Sequence, residues 1–445
     1  MDHQDEHTEK DQGHDHGHDH AHSGQKKPDE KKPFHKNLGH HARRIHRNVT
    51  KYLYERDTIF ATLWVFIFIF ALGAIPLNLG TLNPIKLAMK DFDMNDLSYA
   101  KLGKGSDSGL DTNIVVVNIG SADRAGIAMM IQKTASFKPK VMGLDVLFDG
   151  PKDPEADSLL AKTFEDNPNL IGAAQYILDT NTHELRFSRN HFKDHVHHYG
   201  FVNFPADDRE TIRQFFPVKK LEKKDSILPS FSAAILEHYN KEAWEKMEHH
   251  GDHMTLINYS RKPDHYLTLD GEQLLTDQVD GSLLKGKIAL LAYVNLDPYN
   301  IEDKKFTPMN DKFYGKSWPD MNGIFVHANI ISMALQDNYV KKLPLWATIL
   351  IAVLIGWLHM SFFIHYYLEN HIWFHLVAKI GQVASAIFFV WLGLYLFDTY
   401  RLKVDLKLSL VVIIMAVDVI YFYEAWAVWM HKRFNYRTVF KPHHH

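Results

Sequence analysis

Four stretches of this chain are too apolar and too long to be left in water, and they constrain every other reading. Residues 58–79 carry the run TLWVFIFIFALGAIPL, and similar stretches return at 343–367, 376–398 and 407–430. A helix needs roughly 20 consecutive apolar residues to cross hydrocarbon, and lipid offers no partner for backbone polar groups, so each stretch reads as a transmembrane helix. A cleaved signal peptide is the competing reading of the first. About 57 polar residues precede that run and no small-residue cleavage site follows it, which favours a retained anchor.

Cationic flanks set an orientation, because lysine and arginine resist translocation. Lys36, Arg43, Arg44, Arg47, Lys51 and Arg56 stand before the first span, and Lys432, Arg433, Arg437 and Lys441 follow the last. Both ends are therefore expected in the cytoplasm, with residues 80–342 displayed on the opposite side. Arg401, Lys403 and Lys407 occupy the short outer loop between the last two spans, against the rule. The expected organisation is a His/Asp-rich tail at 1–35, a basic juxtamembrane segment at 36–57, the displayed domain at 80–342 and a short basic tail at 431–445. With no cysteine among 445 residues, a disulfide framework, a thiolate metal site and a cysteine nucleophile are all excluded. A net charge of -3 gives no electrostatic footing for nucleic acid. A bacterial inner membrane, with the displayed domain in the periplasm, is the expected setting.

Between the first and second spans, short apolar runs alternate with helical spacing. Residues 113–120, 141–148 and 170–177 read as buried strands, with 254–259 and 287–293 as further strands. Residues 124–137, 153–164, 231–239 and 323–336 read as helices, the second capped by Asp153 and the last a rod leading toward the second span. Strands alternating with helices imply an α/β domain, a mostly parallel sheet with helices on both faces, beside an α-helical membrane part of four helices.

A series of short motifs runs along this domain: the strand NIVVVNIG, Gly143-Leu144-Asp145-Val146-Leu147-Phe148, Gly200-Phe201-Val202-Asn203 with Asp207 and Arg213, and Pro229-Ser230-Phe231. Ile257-Asn258-Tyr259, Leu284-Lys285-Gly286-Lys287, Asp303 with Thr307-Pro308, Met321-Asn322-Gly323 and His327-Ala328 complete it. In order and spacing, over roughly residues 85–340, the chain resembles the second type of CHASE domain, the cyclase/histidine-kinase-associated sensory extracellular domain. That resemblance implies a sensor outside the membrane, closed by three membrane helices, that signals to a cytoplasmic cyclase or kinase. The chain departs from the family pattern where Glu210 and Thr211 follow Asp208, and where Leu291-Ala292-Tyr293 ends a strand that usually carries glycine. About 15 residues follow Met430, too few for an effector domain, so no enzyme activity is expected.

Candidate sites follow from residue chemistry. In open α/β sheets ligands gather beyond the carboxyl ends of strands, which selects Asp123, Asp145, Asp153 and Asn203, and the resemblance adds Arg213. The competing account of Asp145 is that it caps its own loop. No cofactor is required; zinc, nickel or copper are the ions that the imidazoles of His14, His16, His18, His20 and His22 suit in a disordered tail. His191, His195, His197 and His198, with Asp194, form a second candidate metal cluster, and His249, His250 and His253, with Glu248 and Asp252, a third. The same histidines are candidate proton sensors. Within the spans, Asp418 and Glu424 are carboxylates at depth, for which Lys379 or His359 are expected partners.

Three functions compete: a sensor or scaffold working through a separate partner protein, a metal- or pH-handling membrane protein, and an accessory or conducting subunit of a transport complex. Homo-oligomerisation stays open, as do the ligand and the origin of the terminal histidines.

Overall fold

The computed structural model describes residues 51–74, 93–102, 109–178, 185–187, 190–206, 210–221, 226–297, 299–310, 318–369 and 371–440. The histidine tract at 14–22, Asp207, Asp208 and the last three histidines lie outside them. The principal helices are α1 Arg56–Ala74, α2 Arg124–Ser136, α3 Pro154–Asp166, α4 Phe231–Tyr239, α5 Lys241–Glu248, α6 Gly323–Leu335, α7 Leu345–Glu369, α8 His371–Tyr400 and α9 Lys407–Phe434. A six-stranded sheet is built from β1 Asp111–Asn118, β2 Val141–Leu144, β3 Leu170–Ala174, β4 His198–Phe201, β5 Tyr266–Asp270 and β6 Ile288–Ala292. Its order is β5-β1-β6-β2-β3-β4, and every neighbouring pair is parallel.

A parallel sheet covered on both faces needs strands that are apolar throughout, and Ile114 to Val117 are fully buried. Ile114, Val116, Ile171 and Leu290 point into one core with α4 and α6. Val115, Val117, Met142 and Leu291 point into the other with α2 and α3. Burying each large apolar side chain contributes about 1.5–3 kcal/mol, and this two-sided arrangement is the doubly covered α/β domain expected above. β4 lies directly on α4: a Cβ on Gly200 would stand 2.4 Å from the Phe231 Cα, so only glycine fits there.

Two expectations are corrected. The region 254–259 contributes only a two-residue strand, Thr255–Leu256, paired antiparallel with Gln214–Phe215 outside the main sheet. The main chain beyond it is held instead by a side chain, since Asn329 Oδ1 accepts from the Ser260 and Arg261 amides at 3.1 Å. The rod toward the membrane is broken. α6 ends at Leu335 inside the core, Asp337 takes a left-handed φ of 51°, and the chain forms the short strand Lys341–Lys342 before α7 begins.

Four helices, Arg56–Ala74, Leu345–Glu369, Ile372–Tyr400 and Lys407–Phe434, are long and apolar enough to cross a membrane. α1, α7 and α9 share a core that includes Val65, Phe363, Val412, Ile420 and Tyr423, and α8 packs on its edge with more of its surface exposed.

Candidate sensory site and membrane junction

Asp123 and Asp153, at the carboxyl edge of the sheet, are N-caps: their carboxylates accept from the Gly126 and Ala156 amides, each at 2.8 Å. Asn203 ties β4 to the segment after β3, accepting from the Tyr176 amide at 2.9 Å and donating to its carbonyl at 3.2 Å. Those three side chains serve the backbone. Among the described residues the Asp145 carboxyl makes no hydrogen bond to its own loop; its amide donates to the Leu291 carbonyl at 3.0 Å, which sets its half-buried side chain at the ends of β2 and β6. Asp303 and Lys305 reach the same place from a short antiparallel pairing of Lys304–Lys305 with Met321–Asn322. Burial pushes the Asp145 carboxyl up to about 7, with Asp303 adding to the rise and Lys305 opposing it. Asp303 is raised by burial in the same way, again against Lys305. Two carboxyls, both raised by burial, and the Lys305 ammonium form a polar site at this edge of the sheet.

This geometry has a pH signature. The folded pKa of Asp145 lies above its unfolded value, so the stability it contributes is present below about pH 4 and lost as pH rises through about 7. Asp145→Asn is therefore expected to be neutral at pH 4 and to stabilise the domain by about 1–2 kcal/mol at pH 8, a figure discounted for partial solvent exposure. Thermal melts at both pH values check it; parallel pH profiles for the variant and its parent would contradict it.

Arg213 stands away from that edge. Its guanidinium forks onto Asp96, with Nε 2.9 Å and 3.1 Å from the two carboxylate oxygens and a second nitrogen closing the pair. Burial keeps Asp96 raised in spite of that arginine. One turn on, the Tyr99 hydroxyl donates to the Ile257 carbonyl at 3.3 Å, and its ring stands edge-on to Phe397 at 5.3 Å. Phe397 belongs to α8, yet it is buried in the core of the α/β domain.

Beside it, Leu402–Lys403 pairs in parallel with Lys341–Lys342, the segment that leads into α7. Lys403 also ion-pairs with Asp93. Burial acts to raise Asp93, but the Lys403 ammonium and hydrogen bonds from Asn95 outweigh it and hold the carboxyl below its usual range. The cationic loop that broke the flanking-charge rule is thus the loop that docks the domain. Asp93, Asp96 and Tyr99 were missed by reading the sequence; the misplaced lysines were the signal that a carboxylate partner existed.

At the far end of the bundle Asp57, in the first turn of α1, is 2 % exposed. It accepts from the Tyr423 hydroxyl at 2.6 Å, the Val439 amide at 2.6 Å and the Thr438 hydroxyl at 3.1 Å. Arg56 lies 4.1 Å over the Tyr436 ring. Residues 435–440 are thereby strapped beneath the helices. Glu424 accepts a hydrogen bond from the Tyr367 hydroxyl, and His359 bonds the Ile355 carbonyl of its own helix at 2.8 Å. Lys379 and Asp418 are exposed on the outside of the bundle. Contacts between His375 and Tyr421 at 3.0 Å and between Gln382 and the Ile413 carbonyl at 2.8 Å bracket them, so they sit at one level of α8 and α9.

The histidine clusters are dispersed. His195 bonds Glu165 at 2.7 Å, His197 the Glu165 carbonyl at 3.1 Å, and His191 faces Asp157 at 3.5 Å. His198 packs on His238 with ring centroids 4.2 Å apart, and burial with these neighbours lowers its pKa. His249 ends α5, His250 packs on Tyr339 at 4.8 Å, and the His253 carbonyl accepts from Thr255 at 3.3 Å. Among the described residues no three His, Asp or Glu side chains converge as a metal site.

A family model described as CHASE2 domain matches residues 64–362, which span the second half of α1, the α/β domain and most of α7. The match bears out the resemblance read from the motif series. No curated protein and no solved structure matches the chain.

Proposed function

The chain belongs to the CHASE2 domain family, and from that premise we propose that it is a non-enzymatic membrane sensor that passes the state of its outer domain to a separate partner protein. CHASE2 is a sensory domain of extracellular type, so the α/β unit is the receiving part. The polar site of Asp145, Asp303 and Lys305 at the carboxyl edge of the sheet is its ligand-binding position. Asp123, Asp153 and Asn203 hold the surrounding loops in place. The flanking charges support a periplasmic domain on a bacterial inner membrane, with both chain ends in the cytoplasm.

One observation carries the reading: Phe397, at the outer end of a membrane helix, is buried in the core of the receiving domain. The Asp93–Lys403 ion pair and the paired strands at 341–342 and 402–403 fix the same joint. Packed cores rearrange between discrete arrangements and deform little, so a shift of the domain against this joint moves the end of α8. Gln382 couples α8 to α9, and Tyr423 on α9 holds the Asp57 strap at the opposite end. The partner reads residues 435–440 and the helix ends around them.

Hydrogen exchange of the full chain in lipid nanodiscs tests this. Neutralising the outer pair with Asp93→Asn is expected to raise amide exchange in residues 435–440 about tenfold, and the charge swap Asp93→Lys with Lys403→Asp to restore protection. Unchanged exchange at 435–440 in Asp93→Asn would overturn the coupling.

A further inference from the structure

A cavity of about 130 Å³ opens at the joint, between the last turns of α8 and the start of α9. Its lining combines Lys342, Lys403 and Lys407 with Asp93 and Asp405, and adds Val390 and Leu394 of α8. Lys403 is already neutralised by Asp93. Asp405 is turned toward the Lys407 amide, accepting from it at 3.1 Å. Among the described residues Lys342 and Lys407 have no ion-pair partner, and three lysines against two aspartates leave the lining one surplus positive charge. Trp391 and Tyr395 stack at 5.7 Å on the adjacent strip of α8, the aromatic pairing typical of a membrane–water boundary.

We propose that this cavity binds the head of one membrane phospholipid, with the phosphate held by Lys342 and Lys407 and an acyl chain laid along Val390 and Leu394. The proposal rests on the reading that loop 401–406 lies at the membrane boundary. A free anion satisfies only the lysines. An uncharged lipid satisfies only Val390 and Leu394. The two lysines stand at the entrances to different helices, Lys342 before α7 and Lys407 in the first turn of α9. A bound head therefore ties those helix ends together beside the Asp93–Lys403 pair, and its presence biases the joint through which the domain acts.

Native mass spectrometry of the full chain, extracted in mild detergent and supplied with phosphatidylglycerol, tests the site. One retained phospholipid per chain is expected, and Lys342→Glu with Lys407→Glu is expected to lower retention about tenfold or more. Lys342→Gln with Lys407→Gln, which removes the charge and keeps a polar side chain, is expected to act in the same direction and covers the case in which charge reversal prevents folding. Neither diacylglycerol nor inorganic phosphate should displace the bound lipid. Equal retention by the parent and the glutamine variant would overturn the proposal, as would displacement by inorganic phosphate, which would mark a free-anion site. A chain that keeps its lipid but shows no exchange response at 435–440 retires the coupling reading alone; one that responds but retains no lipid retires this site alone.

Discussion

Replacing Asp96 with alanine is expected to lower the melting temperature of the α/β domain by about 8 °C in the full chain, a loss of about 3 kcal/mol. Asp96 is 6 % exposed and meets the Arg213 guanidinium through both carboxylate oxygens. The pair is costly to break because removing one member strips a half-buried charge of its counterion while leaving the desolvation cost in place. Both residues belong to the joint: Arg213 precedes the strand Gln214–Phe215, and Asp96 immediately precedes the turn that presents Tyr99 to Phe397. Arg213→Met should cost a similar amount, since it leaves the more deeply buried Asp96 carboxylate without its counterion. The double variant should cost clearly less than the sum of the two, the signature of a direct interaction. Additive losses in a thermal double-mutant cycle would contradict this geometry.

How much of this was legible in the sequence depends on how far apart the cooperating residues lie. The spans were legible because hydrocarbon solvation acts on a contiguous run. β1 and β3 were legible for the same reason, as apolar runs buried on two faces. Asp123 and Asp153 were legible as positions; their work as N-caps is a local signal in front of helical spacing.

β5, with the sequence YLTLD, escaped notice because its edge position leaves it half-buried and its apolar content low. Residues 257–259 misled in the opposite way. Their side chains are buried like those of a strand, yet the neighbouring backbone bonds to Asn329, 68 and 69 positions away.

The joint was the least legible part. Asp96 meets Arg213 across 117 positions and Asp93 meets Lys403 across 310, and no local pattern encodes either pair. Only the departure of Lys403 from the flanking-charge rule hinted that a carboxylate waited for it. Several residues that carried the family resemblance have packing roles. His327, which burial holds neutral by lowering its pKa to about 3, bonds Ser232 at 3.0 Å and stacks near Phe204 and Phe231. Such positions report the fold.

The account stands on the placement of the α/β domain and the strapped tail on opposite sides of one membrane. The chain has no cysteine, so a single introduced thiol is a unique reporter of side. Glu272 is exposed on the domain and Arg433 is exposed in the last turn of α9. Sealed spheroplasts treated with a membrane-impermeant maleimide should label the Glu272→Cys variant fully. The Arg433→Cys variant should stay unlabelled until the membrane is opened by detergent. The contrast is all or none, because neither the reagent nor the cationic helix end crosses hydrocarbon. Labelling of Arg433→Cys in intact spheroplasts, or protection of Glu272→Cys, would contradict the account.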